Sequence, residues 1–375
     1  MSTEIDRVIE FQRAAGHYPG IVMHVEREGA VLLERCVGAM GPGSDAEPMR
    51  DDAFFRIASL TKGIVSTVAM MFVESGDIVL DAPVAEYLPV LDGLRMADGS
   101  RPLRPPSVRD LMRHTSGLAY AGETRDPAAR ARADAIGLDA RLFSLGADEV
   151  LETLCRLPLC AQPGTTFRYG FSTDVLGLVI EAVSSRRLGE VIGDRLLEPL
   201  GMHETGFDIG ADQPGRFARA HPGDLAWSAF CSRIDDGITA GNPLHSGGGG
   251  LISTLPDFVR FARFVADGGF VGQEALLRPE TFAELTRDQL GADIDGPFAF
   301  TGPGFGFSLG WAVCETWGAP AYPAAVGELT WSGVSGTFLY FHPARRWFAV
   351  GFTSNTATRL MTRFELRRAI ASLDR

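Results

Sequence analysis

The stretch Gly63-Ile64-Val65-Ser66-Thr67-Val68-Ala69-Met70-Met71-Phe72-Val73 carries no charge and shows no polar face. At helical spacing it is apolar nearly all round, and such a helix is stable only when other elements enclose it. Gly76 follows as a C-cap, so the helix ends there. Phe54-Phe55-Arg56-Ile57-Ala58 leads into it with equally little solvent-facing character. The fold must therefore be built around this segment. Its first turn holds Lys62, the only lysine in 375 residues; all the other basic positions among the 35 Lys plus Arg are arginine.

Arginine stays protonated in any condition a protein meets, whereas a buried lysine amine can give up its proton. A position that keeps Lys where every other base is Arg points to an amine that accepts protons. Ser59 stands three residues earlier, in Ser59-Leu60-Thr61-Lys62. Ser-x-x-Lys puts a hydroxyl and a base on one helix face, the requirement for an activated nucleophile. At a helix N-terminus the free backbone N–H groups and the dipole also favour negative charge. A second group able to pass a proton is Tyr169, one of six tyrosines. It sits in the turn-rich segment from Gln162 to Gly177, where a loop gives way to a helix and a side chain can project into a cleft. Packing is the other role open to a loop tyrosine.

Composition excludes several functions. The net charge of −12 argues against a nucleic-acid partner, which needs clustered positive charge. The longest apolar run is too short and too interrupted to span a bilayer. Met1 to Asp6 offers neither a basic nor an apolar leader region, so a cytoplasmic protein is expected. Cys36, Cys155, Cys160, Cys231 and Cys314 are scattered and odd in number, which fits reduced, mostly buried thiols. No Cys/His spacing suggests a zinc site. Neither a metal nor another cofactor is expected.

Along the chain the periodicity predicts a helix over Ile5 to Ala15, then strands Gly20–Arg27 and Ala30–Val37 around the hairpin turn Glu28-Gly29. From about 76 to 240 the pattern is helical and loop-rich, with helices at Ser107–Arg113, Asp148–Leu157 and Thr173–Ser184, the last capped by Ser172. Strands return at Gly306–Cys314, Glu328–Trp331, Gly336–Phe341 and Trp347–Ser354, and a helix closes the chain over Ala357–Leu373. The order strands, helices, strands predicts an α+β chain. Residues 1–75 and 241–375 form one antiparallel sheet flanked by helices, residues 76–240 form a mainly helical domain, and Ser59 lies in the cleft between them.

Ser59-x-x-Lys62, His114-Thr115-Ser116-Gly117-Leu118, Pro163-Gly164 followed by Tyr169, and Ser246-Gly247-Gly248-Gly249-Gly250-Leu251-Ile252-Ser253-Thr254 occur in the order seen in serine β-lactamase-like and penicillin-binding-protein-like hydrolases. The chain resembles the class C branch and, within it, the family VIII carboxylesterases, over about residues 15–355. The resemblance implies a β-lactamase/transpeptidase-like fold, an acyl-enzyme on Ser59, and a proton shuttle through Lys62 and Tyr169. It places Trp331-Ser332-Gly333 at the cleft-edge motif and completes the oxyanion hole with the backbone N–H groups of Ser59 and Val334. It makes His114 a structural residue.

Two departures from the family pattern bear on substrate. β-Lactamases and penicillin-binding proteins usually carry Tyr-x-Asn or Ser-x-Asn, but this chain has Tyr169-Gly170-Phe171, and its only asparagines are Asn242 and Asn355. Trp331 replaces the cation that meets an anionic substrate; the family VIII esterases are similar in carrying Trp there. With Phe171 and Tyr120 also expected at the pocket, the site suits small-molecule esters with neutral, apolar acyl groups. β-Lactam or D-amino-acid amide hydrolysis, acyl transfer to an alcohol, and a binding module without chemistry are the alternatives, and the last conflicts with an intact Ser, Lys and Tyr. The sequence leaves the oligomeric state open. Gly306-Phe307-Ser308-Leu309-Gly310 matches Gly-x-Ser-x-Gly, with Glu315 or Glu328 and then His342 following. That motif needs a strand-turn-helix setting, whereas alternating Phe305, Phe307, Leu309 and Trp311 read as one continuous strand. The Gly247–Gly250 run lacks the lysine of a phosphate loop and points to a close backbone approach.

Overall fold

The computed structural model describes residues 3–209, 212–231, 233–234, 241–294, 296–316 and 323–373. In chain order its strands are β1 (Gly20–Arg27), β2 (Ala30–Gly38), β3 (Phe55–Arg56), β4 (Ile252–Ser253), β5 (Phe270–Val271), β6 (Glu274–Ala275), β7 (Phe305–Phe307), β8 (Ala312–Cys314), β9 (Leu329–Ser332), β10 (Phe338–His342) and β11 (Trp347–Thr353). Seven of them make one antiparallel sheet in the order β2-β1-β11-β10-β9-β8-β7. The N-terminal hairpin joins the C-terminal strands through β1 and β11, which pair from Ile21↔Thr353 to Arg27↔Trp347. Glu28 and Gly29 both take positive φ (53° and 82°), as a two-residue hairpin turn requires. Between 76 and 240 the described residues form helices and turns and no strand.

β11 is buried along its whole length, so both faces of the sheet must be covered. Phe258 of the helix Leu255–Ala266 packs against Phe352, ring centroids 5.4 Å apart. Arg367 of the C-terminal helix (Arg359–Ile370) lies over Tyr340 and Trp347 and forms a buried ion pair with Glu328 at 2.5 Å. Residues 347 and 352 point to opposite faces by strand alternation, so these helices sandwich the sheet. The N-terminal helix (Glu4–Ala14) packs on the C-terminal one, where Gln12 Nε2 donates to Glu365 Oε2 at 2.6 Å.

The central helix runs Thr61–Ser75, with every residue from Thr61 to Phe72 buried, and ends at Gly76 in a left-handed cap (φ 84°). Most other boundaries fall within two residues of expectation, the usual scatter at frayed ends. Two elements differ. The segment Gly306–Cys314 is a tight hairpin: β7 pairs with β8 (Phe307↔Ala312), and Ser308 N–H donates to the Trp311 carbonyl at 2.7 Å. Period-2 alternation continues through the turn, because Leu309 and Trp311 are buried as a strand's inner face would be, and so it hides the reversal. Ser172 does not cap its helix. The helix is Ser172–Ser184 with Phe171 at the N-cap, and Ser172 Oγ instead bonds Ser116 Oγ at 2.8 Å. Among the described residues the cysteines form no disulfide; Cys231 and Cys314 are buried, while Cys36 is exposed at the sheet-edge strand β2. Among the described residues no helix is long and apolar enough to cross a membrane.

Candidate active site

A one-turn 3₁₀ segment, Ala58–Leu60, joins β3 to the central helix and carries Ser59 at the junction. Ala58 takes φ 47°, a left-handed conformation that costs a residue with a Cβ. That strain is held at the point where the chain turns Ser59 toward a cavity of about 570 Å³. Lys62, one turn on, is only 2% exposed. Its Nζ stands 3.4 Å from Ser59 Oγ and donates to the Gly248 carbonyl at 2.5 Å. The amine also lies 4.7 Å from the centre of the Tyr169 ring.

Tyr169 comes from the loop before the Ser172 helix. Its hydroxyl accepts the indole N–H of Trp331 at 3.2 Å, and its ring is ringed by Tyr120, Phe300, Trp331 and His114 at 4.8–5.6 Å. Ser59, Tyr120, Tyr169, Trp331, Ser332, Gly333 and Val334 all line the cavity. The backbone N–H groups of Ser59 and Val334 have no acceptor among the described residues. Gly333 allows this close approach: a Cβ there would stand 2.6 Å from the Ile57 carbonyl oxygen.

Phe171 is the exception among the expected wall residues. It is 1% exposed and packs edge-on behind Tyr120, 4.8 Å between centroids, away from the cavity surface. The cause is backbone: Phe171 N–H donates to the Leu118 carbonyl and Tyr120 N–H to that of Tyr169, so the two loops are stitched together and Tyr120 becomes the exposed layer. His114 is fully enclosed between Phe167, Tyr169 and Phe307, and burial, with the Lys62 charge second, holds its imidazole far below the usual range. Burial pushes the Tyr120 hydroxyl well above its ordinary range.

Ser308 is enclosed too, but its Oγ accepts the backbone N–H groups of Gly310 (3.3 Å) and Trp311 (3.1 Å). Glu328 is paired with Arg367, and His342 Nε2 faces the Val326 carbonyl. The Gly-x-Ser-x-Gly residues therefore do not meet as a catalytic set.

Sequence reasoning missed several contributors. Gly248 supplies the carbonyl that holds Lys62, and Asp174 holds Gly248 in turn (N–H to Oδ1, 3.0 Å). Phe300 adds an aromatic wall. Arg363 of the C-terminal helix donates to Ser332 Oγ and to the Phe300 carbonyl, and Arg359 lines the cavity. A cation is thus present behind the Trp331 motif, though it arrives from a distant helix and is spent on neutral oxygens. One signal was available for Asp174: it is the only acid in the first eight residues of an otherwise apolar helix.

The model of the Beta-lactamase family matches residues 5–375. The chain belongs to the β-lactamase family. Within that family it is 32% identical over 362 residues to Esterase EstB of Burkholderia gladioli, covering 90% of this chain and 86% of EstB. The structure of EstCE1, a hydrolase with promiscuous acyltransferase activity, superposes with a TM-score of 0.81 at 26% identity, over 98% of this chain and 97% of EstCE1. Simvastatin synthase LovD of Aspergillus terreus shares the fold, with a TM-score of 0.79 at 19% identity over 98% and 97% of the two chains. The β-lactamase/transpeptidase-like architecture expected from the motifs is the one observed.

Proposed function

We propose that this β-lactamase-family chain is a serine carboxylesterase that works through an acyl-Ser59 intermediate. One observation carries the reading: Ser59 Oγ sits 3.4 Å from the only lysine amine of the chain, on a cavity of about 570 Å³. Its likeness to EstB supports the same activity.

In this cycle the Lys62 amine, with Tyr169, takes the Ser59 proton as Oγ adds to the ester carbonyl. The oxyanion rests between the N–H groups of Ser59 and Val334, donors that matter by roughly 10²–10³ in rate each when aimed at developing charge. Tyr169 gives a proton to the alkoxide as the C–O bond breaks. Water then adds to the acyl carbonyl, its proton returns by the same route, and the acid leaves as Ser59 regains its hydroxyl. Trp331, Tyr120 and Phe300 form an aromatic wall suited to neutral, apolar acyl groups of small-molecule esters.

We assign residues 1–75 and 241–375 to a sheet domain and 76–240 to a helical one, with the cavity between them. Cysteines that form no disulfide favour a cytoplasmic setting. Acyl transfer to an alcohol is the second reading, favoured by EstCE1 and by a cavity with room for an acceptor beside the acyl group.

The test is turnover of p-nitrophenyl butyrate followed by rapid quenching and intact mass. The expected result is one butyryl group on the protein, absent from Lys62→Arg, which keeps a charge but cannot act as base. Butyrate release by Lys62→Arg at the wild-type rate would overturn the reading.

A further inference from the structure

The shortest contact of the Lys62 amine is not with Ser59 but with a main-chain carbonyl. Nζ lies 2.5 Å from Gly248 O and 3.4 Å from Ser59 Oγ. Whatever fixes the Gly248 peptide therefore fixes the amine. Two bonds do so, and both end on one atom: Asp174 Oδ1 accepts Ser246 Oγ–H at 2.5 Å and Gly248 N–H at 3.0 Å.

The packing leaves this loop no other seat. A Cβ on Gly247 would stand 2.5 Å from the Thr173 carbonyl oxygen, and one on Gly248 would overlap Asp174 Oδ2. The glycine run thus presses the loop onto the first turn of the Ser172 helix. Asp174 itself is 2% exposed, and its Oδ2 is buried with no hydrogen-bond partner among the described residues. A buried carboxyl group with one oxygen unsatisfied calls for a reason beyond packing. Its two bonds to the loop that holds Lys62 supply one. Burial pushes the Asp174 carboxyl above its ordinary range, and the Lys62 charge on the central helix opposes that shift.

We infer that Asp174 is a positioning residue for the nucleophile: through Ser246 and Gly248 it places the Lys62 amine against Ser59. The inference rests on the reading of Ser59 as nucleophile and Lys62 as its base.

The test is the rate of Ser59 labelling by a p-nitrophenyl alkylphosphonate. In that step the Ser59 oxygen bonds phosphorus, p-nitrophenolate leaves, and the amine takes the proton. Asp174→Ala is expected to slow labelling by on the order of 10²-fold, the cost of about 1 Å of misplacement. Asp174→Asn keeps the acceptor oxygen, so its rate should return to within about tenfold of wild type by the same reasoning.

Wild-type speed in Asp174→Ala or no recovery in Asp174→Asn would each overturn the inference. If Asp174→Ala fails to fold, Asp174→Asn decides alone, and labelling more than about tenfold below wild type overturns the inference. A wild-type protein that does not label at Ser59 refutes the underlying reading instead, so the two failures are distinguishable.

Discussion

Two serines in this chain sit in motifs that spell a nucleophile, and their surroundings could hardly differ more. Ser59 opens onto a cavity, follows a residue in left-handed strain, and has an amine 3.4 Å from its oxygen. Ser308 has no exposed surface and accepts two amides of its own hairpin turn. A hydroxyl needs a base, an opening and donors for the oxyanion before it can act as a nucleophile. Ser308 has none of these, and its oxygen is already committed to the fold. A motif therefore specifies a residue, while the reach of its oxygen specifies the chemistry.

Substitutions can break this contrast, starting with Ser59→Ala. It should cost on the order of 10⁴-fold or more in kcat with little change in stability, as read by ester hydrolysis and thermal melting. Lys62→Arg comes next, with acylation lowered by roughly 10³-fold or more because guanidinium cannot accept the proton; stopped-flow acylation measures it. Tyr169→Phe should lose about 10²–10³-fold, the ordinary contribution of a positioned proton-transfer group. It also removes the acceptor of the Trp331 indole, so indole fluorescence should shift with it.

Ser308→Ala sharpens the contrast from the other side. It should leave kcat/KM of the folded protein unchanged and reduce stability by about 1–3 kcal/mol, the cost of leaving buried amide donors without an acceptor, as denaturant titration would show.

The smallest effect concerns pH. His114 has its folded-state pKa depressed by burial, so below about 6.5 the unfolded chain takes up a proton that the folded chain refuses. Stability should then fall with acidification by up to about 1.4 kcal/mol per pH unit from this one group. His114→Asn, which tolerates the positive φ at this position, should flatten that slope between about pH 6 and 5.

The sequence exposed the fold wherever one physical rule dominated. The apolar helix had to be central, the Glu28-Gly29 turn had to close a hairpin, and Ser59 and Lys62 had to share a face. It failed where two rules compete. Phe305 to Trp311 alternates like a strand because both the strand and its turn are buried, and only Gly310 signals the reversal. Ser172 has the chemistry of a cap, yet a neighbouring serine claims its hydroxyl. Phe171 reads as pocket-lining from its place beside Tyr169, but loop-to-loop hydrogen bonds turn it inward and leave Tyr120 as the wall. Arg363, Phe300 and Asp174 reach the site across tens to hundreds of residues, and no local pattern encodes that convergence.

The most direct test of the central claim is peptide mapping of the protein after reaction with a phosphonate serine inhibitor. The account predicts a single adduct, on Ser59, that Lys62→Arg suppresses and Ser308→Ala does not. An adduct on Ser308 would contradict it.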